Sequence, residues 1–153
     1  LRIHLVRYLT NITVMAINFI AQQAGRIVAH ANRFLVSELR RRGVTDIVPS
    51  HGDILNYLLR HDGATSTDIA VGSHRTKPTV TVLVDKLIAA GYVERRRSTK
   101  DRRETEVWLT EKGRALEPMF YEVSEALSEE IARNLTPEET QTLELLLKKA
   151  AGA

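Results

Sequence analysis

The sequence predicts a mainly α-helical protein with one small β-hairpin. Apolar residues recur at helical spacing along most of the chain, whereas alternation of apolar and polar residues with period two occurs at 92–97 and 104–109. Three predicted helices come directly before this hairpin, and further helices follow it. This order is typical of a winged helix-turn-helix, so we expect such a module flanked by N- and C-terminal helices.

Length and composition are those of one compact domain, or of one small domain with helical extensions: 153 residues, 43% of them hydrophobic and 27% charged. The absence of cysteine excludes disulfides, thiolate zinc sites and iron–sulfur ligation. The longest strongly apolar stretch, 12–21, is far shorter than the ~20 residues of a membrane-spanning helix. Because the N-terminus also lacks the cleavage pattern of a secretory signal, we expect a cytoplasmic protein.

The first predicted helices lead into the module. Residues 3–39 form one long helix or two, ended by Gly43. The apolar positions of this segment include Ile20, Ile27, Phe34 and Leu35. Ser50 is the expected N-cap of the next helix, which ends at the turn 61–63. Its predicted buried stripe is Ile54, Leu55, Leu58 and Leu59.

Two helices and the hairpin complete the predicted module. Residues 65–70 form a short helix that ends by Gly72, and Thr76 caps a longer helix that Gly91 terminates, with Pro78 tolerated in its first turn. The inward residues of the longer helix are Val80, Leu83, Val84, Leu87 and Ile88. The hairpin has a polar tip at 98–103, and its second strand places Val107 and Leu109 on one face and Trp108 on the other.

Two further helices are expected after the hairpin. Thr110 starts a long helix that runs past Ile131 and that Pro118 should kink. Thr136 and Glu139 then form a capping box at the start of a last helix. That helix carries Leu143, Leu146 and Leu147.

The outer helices carry more aliphatic surface than the small winged module can cover, which predicts packing against a second copy of the chain. We therefore expect N-terminal dimerisation helices in 1–48, a DNA-binding winged region in 49–110 and C-terminal dimerisation helices in 111–153.

Charge is divided along the chain. Residues 73–103 contain nine basic and three acidic residues, whereas 111–151 contain five basic and nine acidic ones. A basic middle segment followed by an acidic C-terminal part is typical of a protein in which one module faces a polyphosphate and another does not. Taken alone, the run 95–97 is explained equally well as a solvated charged surface.

Four runs of the sequence resemble, in order and spacing, the MarR family of bacterial transcription regulators. They are Thr79–Leu87, Gly91–Arg95, Asp101–Arg103 and Val107–Arg114. The resemblance covers about residues 18–148. It implies a homodimer that places two winged modules on a pseudo-palindromic operator in double-stranded DNA, with affinity modulated by a small-molecule effector.

The resemblance and the charge distribution together give a set of DNA-binding candidates. The helix capped by Thr76 corresponds to the recognition helix of the family, and the hairpin corresponds to its wing. The candidates in this helix and the turn before it are His74, Arg75, Thr76, Lys77, Thr79 and Thr81. The candidates in the wing are Arg96, Arg97, Lys100, Asp101, Arg102 and Arg103. Arg103 matches the minor-groove arginine of the family, and Asp101 matches the acid that orients the wing. Thr76 is also a plain N-cap, and His74 and Arg75 fit a solvated turn equally well.

The sequence departs from the family pattern at Ser73 and Val82, where an apolar residue and an arginine are common. Because Val82 replaces this arginine, the resemblance gives weaker support for base-specific contacts in this chain, although a valine could meet a thymine methyl group.

Candidate ligand-binding residues are His30, Arg33 and Phe34 in the first helix, for which a packed or surface role is the competing interpretation. No cofactor or metal is expected, because the histidines lack metal-ligand spacing. Ser50, His51 and Asp53 have the residue types of a hydrolytic triad, but residues within one helical turn cannot align as that chemistry requires, and helix capping explains them better.

We therefore expect a sequence-specific, DNA-binding transcriptional regulator, a homodimeric repressor and not an enzyme. Two alternatives stay open from the residues: a winged-helix protein-interaction module without DNA binding, and a small hydrolase.

Overall fold

A computed structural model of the chain describes residues 2–99, 101 and 103–152, with side chains from Phe19 onward. Its elements, in chain order, are α1 (Arg2–Arg41), α2 (Pro49–Arg60), β1 (Ala64–Thr65), α3 (Ser66–Gly72), α4 (Lys77–Ala89), β2 (Val93–Arg97), β3 (Thr105–Leu109), α5 (Glu111–Arg114), α6 (Glu117–Ala132) and α7 (Pro137–Ala150). Residue contacts divide the chain into two units. The winged unit is Leu35–Glu129, and the terminal unit is Leu1–Phe34 with Glu130–Ala153.

The first segment is a single helix, which settles the choice between one helix and two. The chain leaves α1 through Gly43, whose φ of 81° lies in the left-handed region that glycine adopts without strain. Glu38, in the last turns of α1, is buried and accepts hydrogen bonds from Arg42 and Arg41. The hydrogen bond from Arg42, followed by that from Arg41, lowers the pKa of the Glu38 carboxyl against the opposing effect of burial.

The expectation that Ser50 caps α2 is wrong. Val48 occupies the N-cap position without a side-chain hydrogen bond, and Pro49 is the first helical residue. Proline suits that position because its φ is already helical and it has no N–H group to satisfy. Ser50 therefore lies inside the first turn. The stripe of α2 is buried as predicted at Ile54, Leu55 and Leu58, and Leu59 is partly buried against the core.

Helices α3 and α4 begin at threonine caps. Thr65 and Asp68 form a capping box at α3, and the Thr76 hydroxyl accepts a hydrogen bond from the Thr79 N–H at the start of α4, as predicted. The inward face of α4 is also confirmed, since Val80, Leu83, Val84 and Leu87 are buried.

The predicted hairpin is present and is extended by a third strand. The antiparallel sheet has the order β1-β3-β2, with Ala64 opposite Val107 and Val93 opposite Leu109. Sequence patterning missed β1 because two residues show no periodicity. Val107 and Leu109 are buried as expected, whereas Trp108 on the other face is partly exposed.

The core of the winged unit is aliphatic and is formed by α2, α3, α4 and the sheet. Its fully buried side chains are Ile54, Leu55, Leu58, Ile69, Val80, Val84, Leu87, Val93 and Val107. Burial of this many aliphatic groups is the main stabilising contribution to the unit, because apolar surface removed from water contributes about 25 cal/mol per Å².

The prediction of a single kinked helix after the hairpin is wrong, because two helices, α5 and α6, occupy this segment. The cap at Thr110 is as expected, with its hydroxyl accepting from the Gly113 N–H at 3.1 Å. However, α5 ends at Arg114 and α6 starts at Glu117. Pro118 has no N–H group for the carbonyl of Arg114, and its ring clashes with that carbonyl in a continuous helix. Proline is tolerated in a first turn, so the chain starts a new helix there.

Helix α7, in the terminal unit, starts at the predicted capping box of Thr136 and Glu139. Of the leucines predicted there, Leu143 is partly buried, whereas Leu146 and Leu147 are exposed, as is Leu145 beside them, and none of the described residues of α7 is fully buried. Within the described residues, no helix is long and apolar enough to cross a membrane.

Candidate nucleic-acid interface

The N-terminal half of α4 presents a polar, exposed face. Thr76, Lys77, Thr79 and Thr81 are all exposed. All three hydroxyls make local hydrogen bonds: the Thr76 and Thr79 Oγ1 atoms are 2.8 Å apart, and Thr81 Oγ1 donates to the Lys77 carbonyl at 3.0 Å. The Lys77 ammonium forms no ion pair with any described residue. Val82 extends this face as an apolar group and is 54% exposed.

The turn before α4 is held by an ion pair that sequence reasoning missed. His74 has a φ of 51°, a left-handed conformation that is uncommon outside glycine. The next residue, Arg75, donates from Nη2 to Asp53 Oδ2 of α2 at 2.5 Å. Asp53 therefore fixes the start of α4 against α2. Residues 22 positions apart, one in a helix and the other in a turn, carry no periodic signal that would have revealed this pair.

Ion pairs also occupy part of the arginine run in β2. Arg95 donates to Asp85 of α4 at 2.6 Å, which links the β2–β3 wing to α4, the helix predicted to be the recognition helix. Arg96 pairs with Glu94 at 2.5 Å and its guanidinium lies 5.0 Å from the centroid of the Trp108 ring. Arg97 is exposed and forms no ion pair with the described residues. The three neighbouring arginines thus have different environments.

The wing tip is ordered by hydrogen bonds that one carboxylate accepts. Asp101 accepts from the backbone N–H of Arg103 at 2.9 Å and from its guanidinium Nε at 3.3 Å. Even so, the Arg103 side chain is 92% exposed. Lys100 and Arg102, also predicted to contact DNA, lie outside the described residues.

The base of the wing is tied to the C-terminal end of α4. The Thr110 hydroxyl donates to the Gly91 carbonyl at 2.7 Å, and Lys112 Nζ donates to the Ala90 carbonyl at 2.7 Å. Together with the Arg95–Asp85 pair, these bonds hold the hairpin and the recognition helix in one arrangement.

The triad residue types in α2 do not form a triad. Among the described residues, the His51 ring nitrogens have no hydrogen-bond partner, and Asp53 is engaged by Arg75. His51 is only 8% exposed. Burial lowers its pKa below the ordinary 6.5 and nearby Lys86 adds to this, whereas the backbone and carboxylate of Asp46 oppose it.

Two concave regions are of interest as ligand sites. In the terminal unit, His30 and Arg33 line an open cleft of about 590 Å³, where His30 Nε2 lies 3.1 Å from Glu130 Oε1. Phe34, the third predicted ligand residue, is not among the described residues that line it. In the winged unit, a smaller cavity of about 140 Å³ lies among α1, α2 and α6. Sequence reasoning did not find this second cavity.

Comparison with known proteins gives the same fold. A family model described as MarR family matches residues 42–104. The multiple antibiotic resistance protein MarR of Escherichia coli is 41% identical over 71 residues, which are 46% of this chain and 49% of that protein. The chain thus spans about half the length of the curated MarR proteins that it matches. YwhA of Bacillus subtilis, an uncharacterised HTH-type transcriptional regulator, is 30% identical over 109 residues, 68% of this chain and 78% of that protein.

Solved structures match over nearly the whole chain. A mutant MarR from Escherichia coli complexed with operator DNA has a TM-score of 0.78 at 27% identity, covering 85% of this chain and 91% of that one. The Staphylococcus aureus MepR–DNA complex has a TM-score of 0.75 at 26% identity, covering 86% and 96%. A MarR regulator from Methanosarcina mazei has a TM-score of 0.74 at 26% identity, covering 88% and 98%.

Helices α2 to α4, the β2–β3 wing and the exposed face of α4 define a protein of the winged helix-turn-helix class. Within that class, the chain belongs to the MarR family of transcriptional regulators.

Proposed function

We propose that this protein is a sequence-specific, double-stranded DNA-binding transcriptional regulator that acts as a homodimeric repressor. The observation that carries the proposal is the exposed Arg103 at the tip of a wing joined to α4 by the Arg95–Asp85 ion pair. The operator complex of Escherichia coli MarR and the DNA complex of MepR support it, because this chain resembles both over most of its length.

The N-terminal half of α4 enters the major groove in this proposal. Lys77 and the exposed threonines contact phosphates or base edges there, and the helix N-terminus favours a phosphate oxygen. His74 and Arg75 contact the DNA backbone beside this groove. Because Arg75 is paired with Asp53, its guanidinium must either bind Asp53 and a DNA phosphate at the same time or leave Asp53 for the phosphate.

The wing contacts the neighbouring minor groove. Arg103 enters the groove, where a narrow A·T-rich segment concentrates negative potential. Asp101 holds the Arg103 backbone and guanidinium in place for this contact. Arg96, Arg97, Lys100 and Arg102 add phosphate contacts and salt dependence.

Dimerisation pairs two winged modules. The exposed leucines of α7 are an apolar surface that a second copy covers, so that 1–48 and 111–153 supply the dimer helices and 49–110 reads DNA. A dimer of this kind protects two half-sites about one helical turn apart. No catalytic role is proposed, since Ser50, His51 and Asp53 make no hydrogen bonds to one another among the described contacts.

DNA retention tests the proposal directly. Bound fragments are selected from random duplex DNA, and the affinity for the selected site is measured against salt concentration. Arg103→Ala is expected to weaken binding by about 1–3 kcal/mol, and Lys77→Ala to reduce the salt slope by about one. Lys149→Ala, in the acidic C-terminal part, is the control and leaves both unchanged. A folded dimer with no salt-dependent retention contradicts DNA binding and favours a protein-interaction module.

Oligomeric state is tested by sedimentation. Leu146→Lys places a charge on the exposed apolar surface of α7 and is expected to give monomers at concentrations where the wild type is dimeric. Val71→Lys is the matched control, because Val71 is also an exposed apolar residue and lies on α3 of the winged unit. The control is expected to stay dimeric. If Leu146→Lys stays dimeric as well, α7 does not form the dimer contact.

A small-molecule effector modulates DNA affinity in this proposal, and His30, Arg33 and Phe34 are its candidate site. The cleft that His30 and Arg33 line supports this placement. An effector changes DNA affinity only by its differential affinity for the free and DNA-bound forms. A small molecule that shifts the DNA affinity of the wild type and not of Arg33→Ala supports this site, whereas equal shifts contradict it.

A further inference from the structure

An apolar side chain lies in the middle of the exposed face of α4. Val82 is more than half exposed, and it follows Pro78 by four residues, so the two lie on the same side of the helix. Pro78 and the adjacent Thr81 are exposed as well, whereas the apolar stripe that α4 contributes to the core is buried. The exposure of Val82 is therefore not explained by packing within the winged unit.

Basic groups lie on both sides of this apolar position. Lys77 stands in the first turn of α4. Asp85, three residues after Val82, binds Arg95 of β2 at 2.6 Å, which brings the wing with its exposed arginine tip next to α4. A binding partner of this face must therefore combine negative charges with an apolar group between them. The major groove of duplex DNA does so, because phosphates border it and the C5-methyl group of each thymine projects into it.

The hydroxyl group beside Val82 is already used within α4. Thr81 Oγ1 donates its proton to the Lys77 carbonyl at 3.0 Å. A threonine hydroxyl has only one proton to donate, so Thr81 has none left for the N7 or O6 acceptor of a purine. The side chains of Thr81 and Val82 therefore present methyl groups and no free hydrogen-bond donor. Contact with these two residues favours an apolar feature of a base over a hydrogen-bond acceptor.

From this arrangement we propose that Val82 is a specificity-determining residue that contacts the C5-methyl group of one thymine in each half-site. The proposal rests on DNA binding through α4 as proposed above, and it adds which feature of a base this helix reads. Over a purine, Val82 would cover hydrogen-bonding groups of the base edge without offering a hydrogen bond, which is unfavourable. Over a cytosine, it would meet a hydrogen atom in place of the methyl group. Thymine is therefore the preferred base at this position.

Deoxyuridine substitution tests this contact, because deoxyuridine lacks the methyl group of thymidine and keeps its hydrogen-bonding groups. Each thymine of a site selected from random duplex DNA is replaced in turn, and the dissociation constant is measured by fluorescence anisotropy at a fixed salt concentration. At one position in each half-site, the replacement is expected to weaken binding of the wild-type chain about fourfold, the effect of burying roughly one methyl group. In Val82→Ala the same replacement should change the dissociation constant by less than about twofold.

A second substitution separates the methyl group from the rest of the base pair. At the position that deoxyuridine identifies, cytosine opposite guanine removes the methyl group and changes the hydrogen-bonding pattern, and 5-methylcytosine restores the methyl group alone. The wild-type chain is expected to bind the 5-methylcytosine duplex about fourfold tighter than the cytosine duplex. Val82→Ala should bind these two duplexes equally well.

Val71→Ala is the matched control, because Val71 is an exposed valine on α3, and it should keep the wild-type pattern of deoxyuridine effects. Val82→Ala should remain folded, since alanine is the strongest helix former, and thermal unfolding checks this. If the wild-type chain binds the selected site and the deoxyuridine effects are the same in Val82→Ala, the thymine contact is wrong and DNA binding still stands. A chain without salt-dependent binding to any duplex contradicts the proposed function itself, and the thymine contact with it.

Discussion

The leucines of α2 and α7 have the same pattern in the sequence and opposite environments in the structure. Leu58, on the apolar stripe of α2, is fully buried, whereas Leu146, on the stripe of α7, is 57% exposed. Both helices are amphipathic, so periodicity predicts an apolar face in each. The difference teaches that a stripe predicts burial without saying which chain provides the covering surface. The winged unit covers its own stripes, whereas the stripe of α7 is exposed within the single chain.

Truncating the two leucines should have very different effects on stability. Leu58→Ala leaves a cavity in a packed core and is expected to lower the free energy of unfolding by about 2–5 kcal/mol, independently of protein concentration. In the proposed dimer, Leu146→Ala removes a contact between copies, so its effect should be smaller and should increase with protein concentration as more dimer forms. Urea denaturation at several protein concentrations measures both. Equal, concentration-independent losses would contradict the distinction.

The same contrast between occupied and open space applies to glycines within the winged unit. A Cβ at Gly63 would lie 2.4 Å from the Trp108 ring, and the φ of Gly63 is +77°, whereas a Cβ at Gly52 would meet open space inside α2. Gly63→Ala is therefore expected to destabilise the protein by more than about 1 kcal/mol. Gly52→Ala should stabilise it by about 0.5–1 kcal/mol, because alanine favours the helix.

Thermal or urea unfolding measures the stability of these two variants. If the surroundings of the glycines decide the outcome, the free energy of unfolding decreases in Gly63→Ala and increases in Gly52→Ala. A stabilised Gly63→Ala would show that the Trp108 ring moves at little cost. The close approach of Trp108 to the backbone would then not be what fixes the turn before β1.

Local signals in the sequence were enough for much of the fold. Threonine caps at Thr76 and Thr136 and the alternation around Val107 act over a few residues, so their elements could be predicted. Ser50 failed as a cap because Pro49 could start the helix earlier, and the break between α5 and α6 needed the clash of Pro118 with the Arg114 carbonyl. Strand β1 was missed because its pairing with β3 is a long-range contact.

The candidate site was less predictable than the fold. The basic character of the wing could be read from the sequence, but the partners of individual arginines could not. Asp53 and Asp85 determine the surroundings of Arg75 and Arg95 from positions 22 and 10 residues earlier in the chain. Such pairs depend on how a helix packs against a turn or a strand, and the periodicity of a single sequence does not show that packing.

The smallest expected effect is a dependence of stability on pH, and it follows from comparing a histidine of the winged unit with one of the terminal unit. His51 is buried in the winged unit and its pKa is lowered, mainly by burial, while His30 in the terminal unit lies on the surface beside Glu130. Above the unfolded value of 6.5, His51 is neutral in both states and the winged unit has its full stability. As the pH falls below 6.5, the unfolded chain binds a proton that folded His51 does not, and stability decreases until the lowered folded pKa is reached.

The slope attributable to one such group is at most about 1.4 kcal/mol per pH unit. Urea denaturation between pH 7.5 and pH 5.5, roughly the interval in which histidine titrates, measures it. His51→Gln should flatten this part of the stability profile, because the glutamine side chain does not titrate. If the slope survives in His51→Gln, a buried neutral His51 is excluded as its cause.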